Sequence, residues 1–254
     1  MQYLSYHKNM LPPIPKKIPK ILEAHGDQRS DDYYWLRDDS RSDQEIIKYL
    51  EEENKYSENW FVEGKDYRKE LYKELLNFIP KEETSLKIKK NDFYYFSKIK
   101  SNEQYPVYFR EKENSTEEIL DINKLSKGLD FYQISGISPS PNNEIIAYGE
   151  DKNGRREYTI KFKNLQNEKL ISDQLKNTSG NITWGNNDYI FYTIKDPETL
   201  ISNKVYRHKL GDSQDKDVLI FEEQDAEFNI SISKSRTDRY LFINSSKTES
   251  NEIW

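Results

Sequence analysis

The chain has 254 residues, 33% of them charged, and its 45 acidic and 39 basic side chains leave a net charge of −6. Charges of both signs are interleaved, which excludes the basic stripe of a nucleic-acid binder, and no apolar run is long enough for a membrane helix. Zero cysteines exclude disulfides, thiol nucleophiles and cysteine-ligated metals and agree with a reducing compartment; with prolines and lysines where a signal peptide carries its apolar core, a cytoplasmic location is expected.

Residues 1–41 read as an extended arm, because Pro12, Pro13, Pro15 and Pro19 fix their own φ and turn the residues before them away from helix. A helix is expected from Ser42, where Ser42-Asp43-Gln44-Glu45 fits a capping box whose hydroxyl and carboxylate satisfy first-turn amides. Ile46, Tyr49, Leu50, Trp60 and Phe61 mark its apolar side, and Glu51 and Lys55 make an i,i+4 pair outside. A second helix is expected from about Lys65 to Phe78, with Tyr67, Leu71, Leu75 and Phe78 on one face and Pro80 as its stop.

From Lys81 onwards, short alternating or apolar runs separated by polar turns predict strands over 92–99, 106–110, 144–149, 158–165, 189–194, 205–210, 218–221, 228–233 and 240–244. The turn-then-strand units beginning at Asn91-Asp92, Asn142-Asn143, Asn187-Asp188 and Thr237-Asp238 recur about every 50 residues, the interval of one four-stranded propeller blade. Strands over 134–138, 181–184 and 229–233 lead into these turns. Further hairpins are expected around Lys152-Asn153-Gly154 and over 197–202. The count is three blades and the start of a fourth.

The candidate chemistry is thin. His7, His25 and His208 are isolated and none has metal-site spacing, so none is assigned a role. Glu150-Asp151, Asp31-Asp32 and Asp38-Asp39 are paired carboxylates, better explained by hairpin solvation and helix N-terminal charge than by acid–base work or a cation site. Lys87-Ile88-Lys89-Lys90 followed by Phe93-Tyr94-Tyr95-Phe96 and Lys98 mixes basic and aromatic residues as nucleic-acid strands do, but a blade strand with edge lysines accounts for it. Trp35 is expected to anchor the proline arm by packing.

The run Asp31-Asp32-Tyr33-Tyr34-Trp35-Leu36-Arg37-Asp38-Asp39-Ser40-Arg41 closely resembles the N-terminal signature of the oligopeptidase B branch of the prolyl oligopeptidase family of serine peptidases. Pro12-Pro13-Ile14-Pro15, the helix from Ile46 to Trp60 and the β-rich remainder fall where that family places them, so the resemblance covers nearly the whole chain. It implies a mainly β fold: an incomplete seven-bladed-type propeller of about three and a half blades over 81–254, preceded over 1–80 by an arm and two helices that in the family pack on the hydrolase domain. It also implies cleavage of short peptides after basic residues by a Ser-Asp-His triad on a C-terminal α/β-hydrolase domain, with the propeller gating access. Such a domain exposes its nucleophile on a G-x-S-x-G elbow, and no such pentapeptide occurs; Ser135-Gly136 and Ser179-Gly180 lack the second glycine.

The expectation is therefore the front part of an oligopeptidase, inactive alone, with no catalytic residue, cofactor or metal of its own. Its partners would be peptide substrates and the hydrolase domain, not nucleic acid or membrane. Two alternatives stand beside it: a non-catalytic module that docks to a separately encoded hydrolase half or binds peptides, and a gene remnant.

Overall fold

The proline-rich arm does not stay extended. In the computed structural model, which describes residues 11–62 and 64–254, β1 (Lys20–Ala24) and β2 (Asp27–Asp31) pair antiparallel across His25-Gly26. Those two residues have φ of 53° and 79°, the left-handed backbone that a two-residue primed hairpin turn requires and that glycine adopts without strain. His25 is thus a turn residue, while His7 lies outside the described residues.

The first helix, α1 (Gln44–Trp60), is capped by Asp43 and not by Ser42 as the capping-box pattern suggests. The Asp43 carboxylate accepts from the amides of Glu45 at 2.8 Å and Ile46 at 3.4 Å. Ser42 is held outside the helix because Asp38 Oδ2 accepts from the amides of both Ser42 and Asp43, at 2.7 and 2.8 Å. A carboxylate bonds an amide more strongly than a hydroxyl does, so the acid inside the pattern takes the cap. The second helix, α2 (Lys65–Phe78), gives way to extended backbone at Ile79, as the residue before a proline prefers. Ile46 is the one buried residue of α1, and α2 has none among its described residues.

The chain divides into two compact units after Pro80, and the second is built from blades. Blade 1 contains β3 (Glu83–Thr84), β4 (Ile88–Lys90), β5 (Phe93–Ile99), β6 (Val107–Lys112) and β7 (Ser115–Asp121), with β3 and β4 forming an interrupted inner strand against β5. A short helix, α3 (Ile122–Leu125), leads to blade 2: β8 (Gln133–Pro139), β9 (Ile145–Asp151), β10 (Tyr158–Asn164) and the first half of β11 (Leu170–Trp184). At Thr178, which pairs with both Tyr158 and Ile194, β11 passes from blade 2 into blade 3. Blade 3 continues with β12 (Tyr189–Lys195), β13 (Ser202–Lys209) and β14 (Val218–Glu222), and blade 4 holds β15 (Asn229–Lys234), β16 (Leu241–Ser246) and β17 (Asn251–Ile253). Among the described residues all pairings are antiparallel and no strand joins blade 4 to blade 1, so the propeller is incomplete.

The core lies between blades. Leu120, Ile122, Tyr132 and Tyr148 pack blade 1 on blade 2; Phe162, Leu175, Trp184 and Tyr192 pack blade 2 on blade 3; Val205, Ile230, Ile232 and Ile243 pack blade 3 on blade 4. A strand covered on both faces reads as a continuous apolar run; in β9 every residue after Ile145 is buried, and the run is apolar from Ile145 through Gly149 before Glu150 and Asp151. The strand β16, in the last blade, alternates instead.

Candidate functional site

The repeated turns bring polar side chains to the seams between blades. Asn91 Nδ2 donates to the Pro141 carbonyl at 2.8 Å, and the Asn142 amide donates to Asn187 Oδ1 at 3.0 Å. Trp184 Nε1 donates to the Ser138 carbonyl at 3.0 Å between blades 2 and 3, and the Ile232 amide donates to Asn181 Oδ1 at 2.8 Å between blades 3 and 4. Each bond links neighbouring blades, so the repeat seen in the sequence marks the fastening of the blades as well as their folding. The buried Arg110 adds a stronger fastening between blades 1 and 2. It donates to Glu117 Oε2 at 2.8 Å and to the Asn143 carbonyl at 2.5 Å, while Tyr95 Oη donates to Asn143 Oδ1 at 2.8 Å.

The two serine–glycine pairs meet across the seam between β8 and β11. Gly136 and Gly180 have φ of 62° and 83°; a Cβ on Gly136 would stand 2.0 Å from the Gly180 carbonyl, and one on Gly180 would stand 2.9 Å from Ser135 Cβ. Close approach of two backbones explains these glycines. The Ser179 hydroxyl bonds to that of Thr193, not to a base.

The paired acids separate into different tasks. Glu150 is buried beside Lys161 at 2.7 Å, Lys152 at 3.1 Å and the Tyr132 hydroxyl at 2.9 Å. Burial pushes its carboxyl up, but the hydrogen bonds from Lys161, Tyr132 and Lys152 outweigh that and hold it below the usual range. Burial, reinforced by Glu150, raises the Tyr148 hydroxyl to about 12. Asp151 accepts three amides of its hairpin, those of Asn153, Gly154 and Arg156, at 2.7 to 3.0 Å. Both acids are buried, so lysines and amides, rather than the solvent expected from their hairpin position, satisfy them. Asp31 accepts from the Tyr33 amide at 2.9 Å, the Asp32 carbonyl accepts from the Ile18 amide at 2.9 Å, and Asp39 pairs with Arg37 at 3.2 Å. Asp38 is held down to about 2 by bonds from the Asp43 amide and the Ser40 hydroxyl above all.

Trp35, in a 3₁₀ turn over Tyr34–Leu36, fastens the arm: its Nε1 donates to the Lys16 carbonyl at 2.9 Å and its ring lies 6.3 Å from that of Tyr49. Most of the basic–aromatic run is engaged within blade 1, with Lys87 bonded to Glu111 at 2.7 Å and lying over Phe96, and Arg110 lying over Phe93; Lys90 reaches across to the Pro139 carbonyl of blade 2.

Sequence reasoning left His208 alone, yet it is fully buried between two acids. Its Nδ1 lies 2.7 Å from Asp217 Oδ1, its Nε2 lies 3.4 Å from Asp173 Oδ2, and Phe162 stacks on the ring. Asp217 also accepts from the Tyr192 hydroxyl at 2.8 Å and Asp173 from the Gly211 amide at 2.5 Å. With both ring nitrogens engaged, His208 offers none to a metal or a substrate; it ties β13 to the outer half of β11. Asp173 stands 35 positions away in sequence, beyond any local motif.

Four-stranded antiparallel sheets packed face to face, with inner strands meeting at seams, define a β-propeller. The chain belongs to the prolyl oligopeptidase family: residues 12–254 match the family's "Prolyl oligopeptidase, N-terminal beta-propeller domain". Among its relatives, it is 36% identical to Protease 2 of Moraxella lacunata and 34% identical to dipeptidyl aminopeptidase BI of Pseudoxanthomonas mexicana, in each case over 95% of this chain. It superposes on oligopeptidase B from Leishmania major with a TM-score of 0.89 and 28% identity over 96% of this chain, and on the Trypanosoma brucei enzyme with a TM-score of 0.85. The chain spans 36% of the length of those two relatives and 37% of those two structures. It corresponds to the N-terminal, propeller-forming part of these relatives.

Proposed function

We propose that this chain serves as the gate and clasp of a serine oligopeptidase that cleaves short peptides after basic residues, its chemistry residing on an α/β-hydrolase domain outside these 254 residues. The blades limit which peptides reach the triad, and the N-terminal helices pack on the hydrolase domain. The observation that carries this reading is the likeness to oligopeptidase B over 96% of the chain. Exposed apolar side chains on the helices support the clasp: Tyr67, Leu75 and Phe78 are 70%, 54% and 84% exposed, an arrangement that calls for a covering partner. A reducing, cytoplasmic setting suits a chain without cysteine.

The test is reconstitution. The purified chain alone should not hydrolyse an arginyl substrate, and co-expression with the hydrolase half of Protease 2 should yield a complex that does. Inhibitor-sensitive cleavage by the chain alone would overturn the assignment of the chemistry elsewhere. A complex that cleaves after proline but not arginine would overturn the basic-residue preference. The same exposed helix faces favour a second reading, a non-catalytic module that captures a separately encoded hydrolase half. Co-purification of such a half from the native source separates the two.

A further inference from the structure

The inner ends of all four blades border one small cavity of about 120 Å³, whose lining includes Lys90, Ser138, Thr183, Trp184, Lys234 and Asp238. Lys90 closes β4 in blade 1 and Lys234 closes β15 in blade 4, so two ammonium groups reach a common space from different blades. Their protein partners are few. Lys90 Nζ donates to the Pro139 carbonyl at 3.3 Å, and Lys234 Nζ lies 3.7 Å from Asp238 Oδ1, an acid whose side chain is 52% exposed. An ammonium has three donors, and a 3.7 Å separation is beyond a charge-assisted hydrogen bond. Burial pushes Lys90 below the ordinary lysine range, Lys234 pushes the same way, and Asp238 opposes them; two cations share one distant carboxylate.

We propose that Lys90 and Lys234 form an oxyanion-binding subsite at the inner edge of the blades, taking a single carboxylate or phosphate group. The cavity is sized for one such group and not for a nucleotide. Ser138, Thr183 and Trp184 belong to the same lining. The inference goes beyond the peptidase reading and does not rest on it, since all its parts belong to the four blades of this chain.

The full chain is titrated with sodium phosphate and, separately, with sodium acetate at constant ionic strength, following the lysine side-chain ammonium signals by NMR. A saturable response with Kd on the order of 1–10 mM is expected for at least one of them. Preference for phosphate identifies the free inorganic ion as the ligand class; equal or better binding of acetate identifies a peptide carboxylate. Lys90→Met and Lys234→Met should each weaken binding about tenfold, while Asp238→Asn, which removes the competing negative charge, should strengthen it about fivefold. A gain of binding cannot arise from misfolding, so that variant keeps the test sound if a lysine variant fails to fold. A linear response (an adventitious ion only), saturation unchanged in both lysine variants, or weaker binding in Asp238→Asn would overturn the proposal.

Discussion

The two units of this chain bury their residues by different rules. In the blades, apolar side chains interlock across each seam, polar groups find partners, and of the buried side-chain polar atoms described only Asn203 Oδ1 lacks a hydrogen bond. In the N-terminal unit α1 is held at its start by Asp43, which Asp38 positions, and by the Trp35–Tyr49 ring contact, while the apolar faces of both helices are exposed. One region is stabilised by its middle and the other by its ligatures. Mutations should therefore act strongly in the blades at sites with no bearing on chemistry, and weakly on the helices at sites that look like core.

The largest effect is expected at the glycine crossing. Gly136→Val forces a branched side chain into left-handed backbone and onto the Gly180 carbonyl, and should cost about 4 kcal/mol in urea unfolding; a loss under 1 kcal/mol would refute the close-approach account. Next comes His208→Leu, which leaves the buried carboxylates of Asp173 and Asp217 facing a hydrocarbon. About 3 kcal/mol should be lost in the same measurement, and an unchanged midpoint would show that the ring ties nothing.

A local effect is expected at Asp38, whose carboxyl sits at about 2 against an ordinary 3.8. A depressed carboxyl lends its full stabilisation above the unfolded value and loses it as pH falls through the folded value. The Ser42 and Asp43 amide signals should therefore shift between about pH 4 and 2, and Asp38→Asn should abolish that transition; a variant that keeps it would assign the titration to another group. The smallest effect is expected from Leu75→Ser on the exposed face of α2. Its cost to the isolated chain should stay within about 0.5 kcal/mol, and a loss above 2 kcal/mol would mean that the face is already covered.

Much of the blade order is legible in the sequence, because strands with one covered face alternate and the asparagine-rich turns recur at the interval of a blade. Strands on outer edges escape that reading. The strand β7 begins Ser-Thr-Glu-Glu, all exposed, and the first half of β11 has no apolar alternation to betray it. The arm hairpin is hidden because the prolines before it dominate the local signal while its His25-Gly26 turn is only two residues long. The cap is misplaced by one residue because Asp38, four positions upstream, decides which residue enters the helix. The environment of His208 depends on register across four strands and on the connection between β13 and β14, which no spacing rule encodes.

The strand β11 gives one unbroken backbone to two sheets, edging blade 2 with its first half and opening blade 3 with its second. A load applied to either sheet reaches the other through covalent bonds, with no side-chain contact free to slip between them. A nick in the connection over 223–228 leaves that shared strand whole, whereas a nick beside Ser179 cuts it where the blade 2 ladder gives way to the blade 3 ladder. Blades 2 and 3 thus form a mechanical doublet that heat, force or a protease takes apart together.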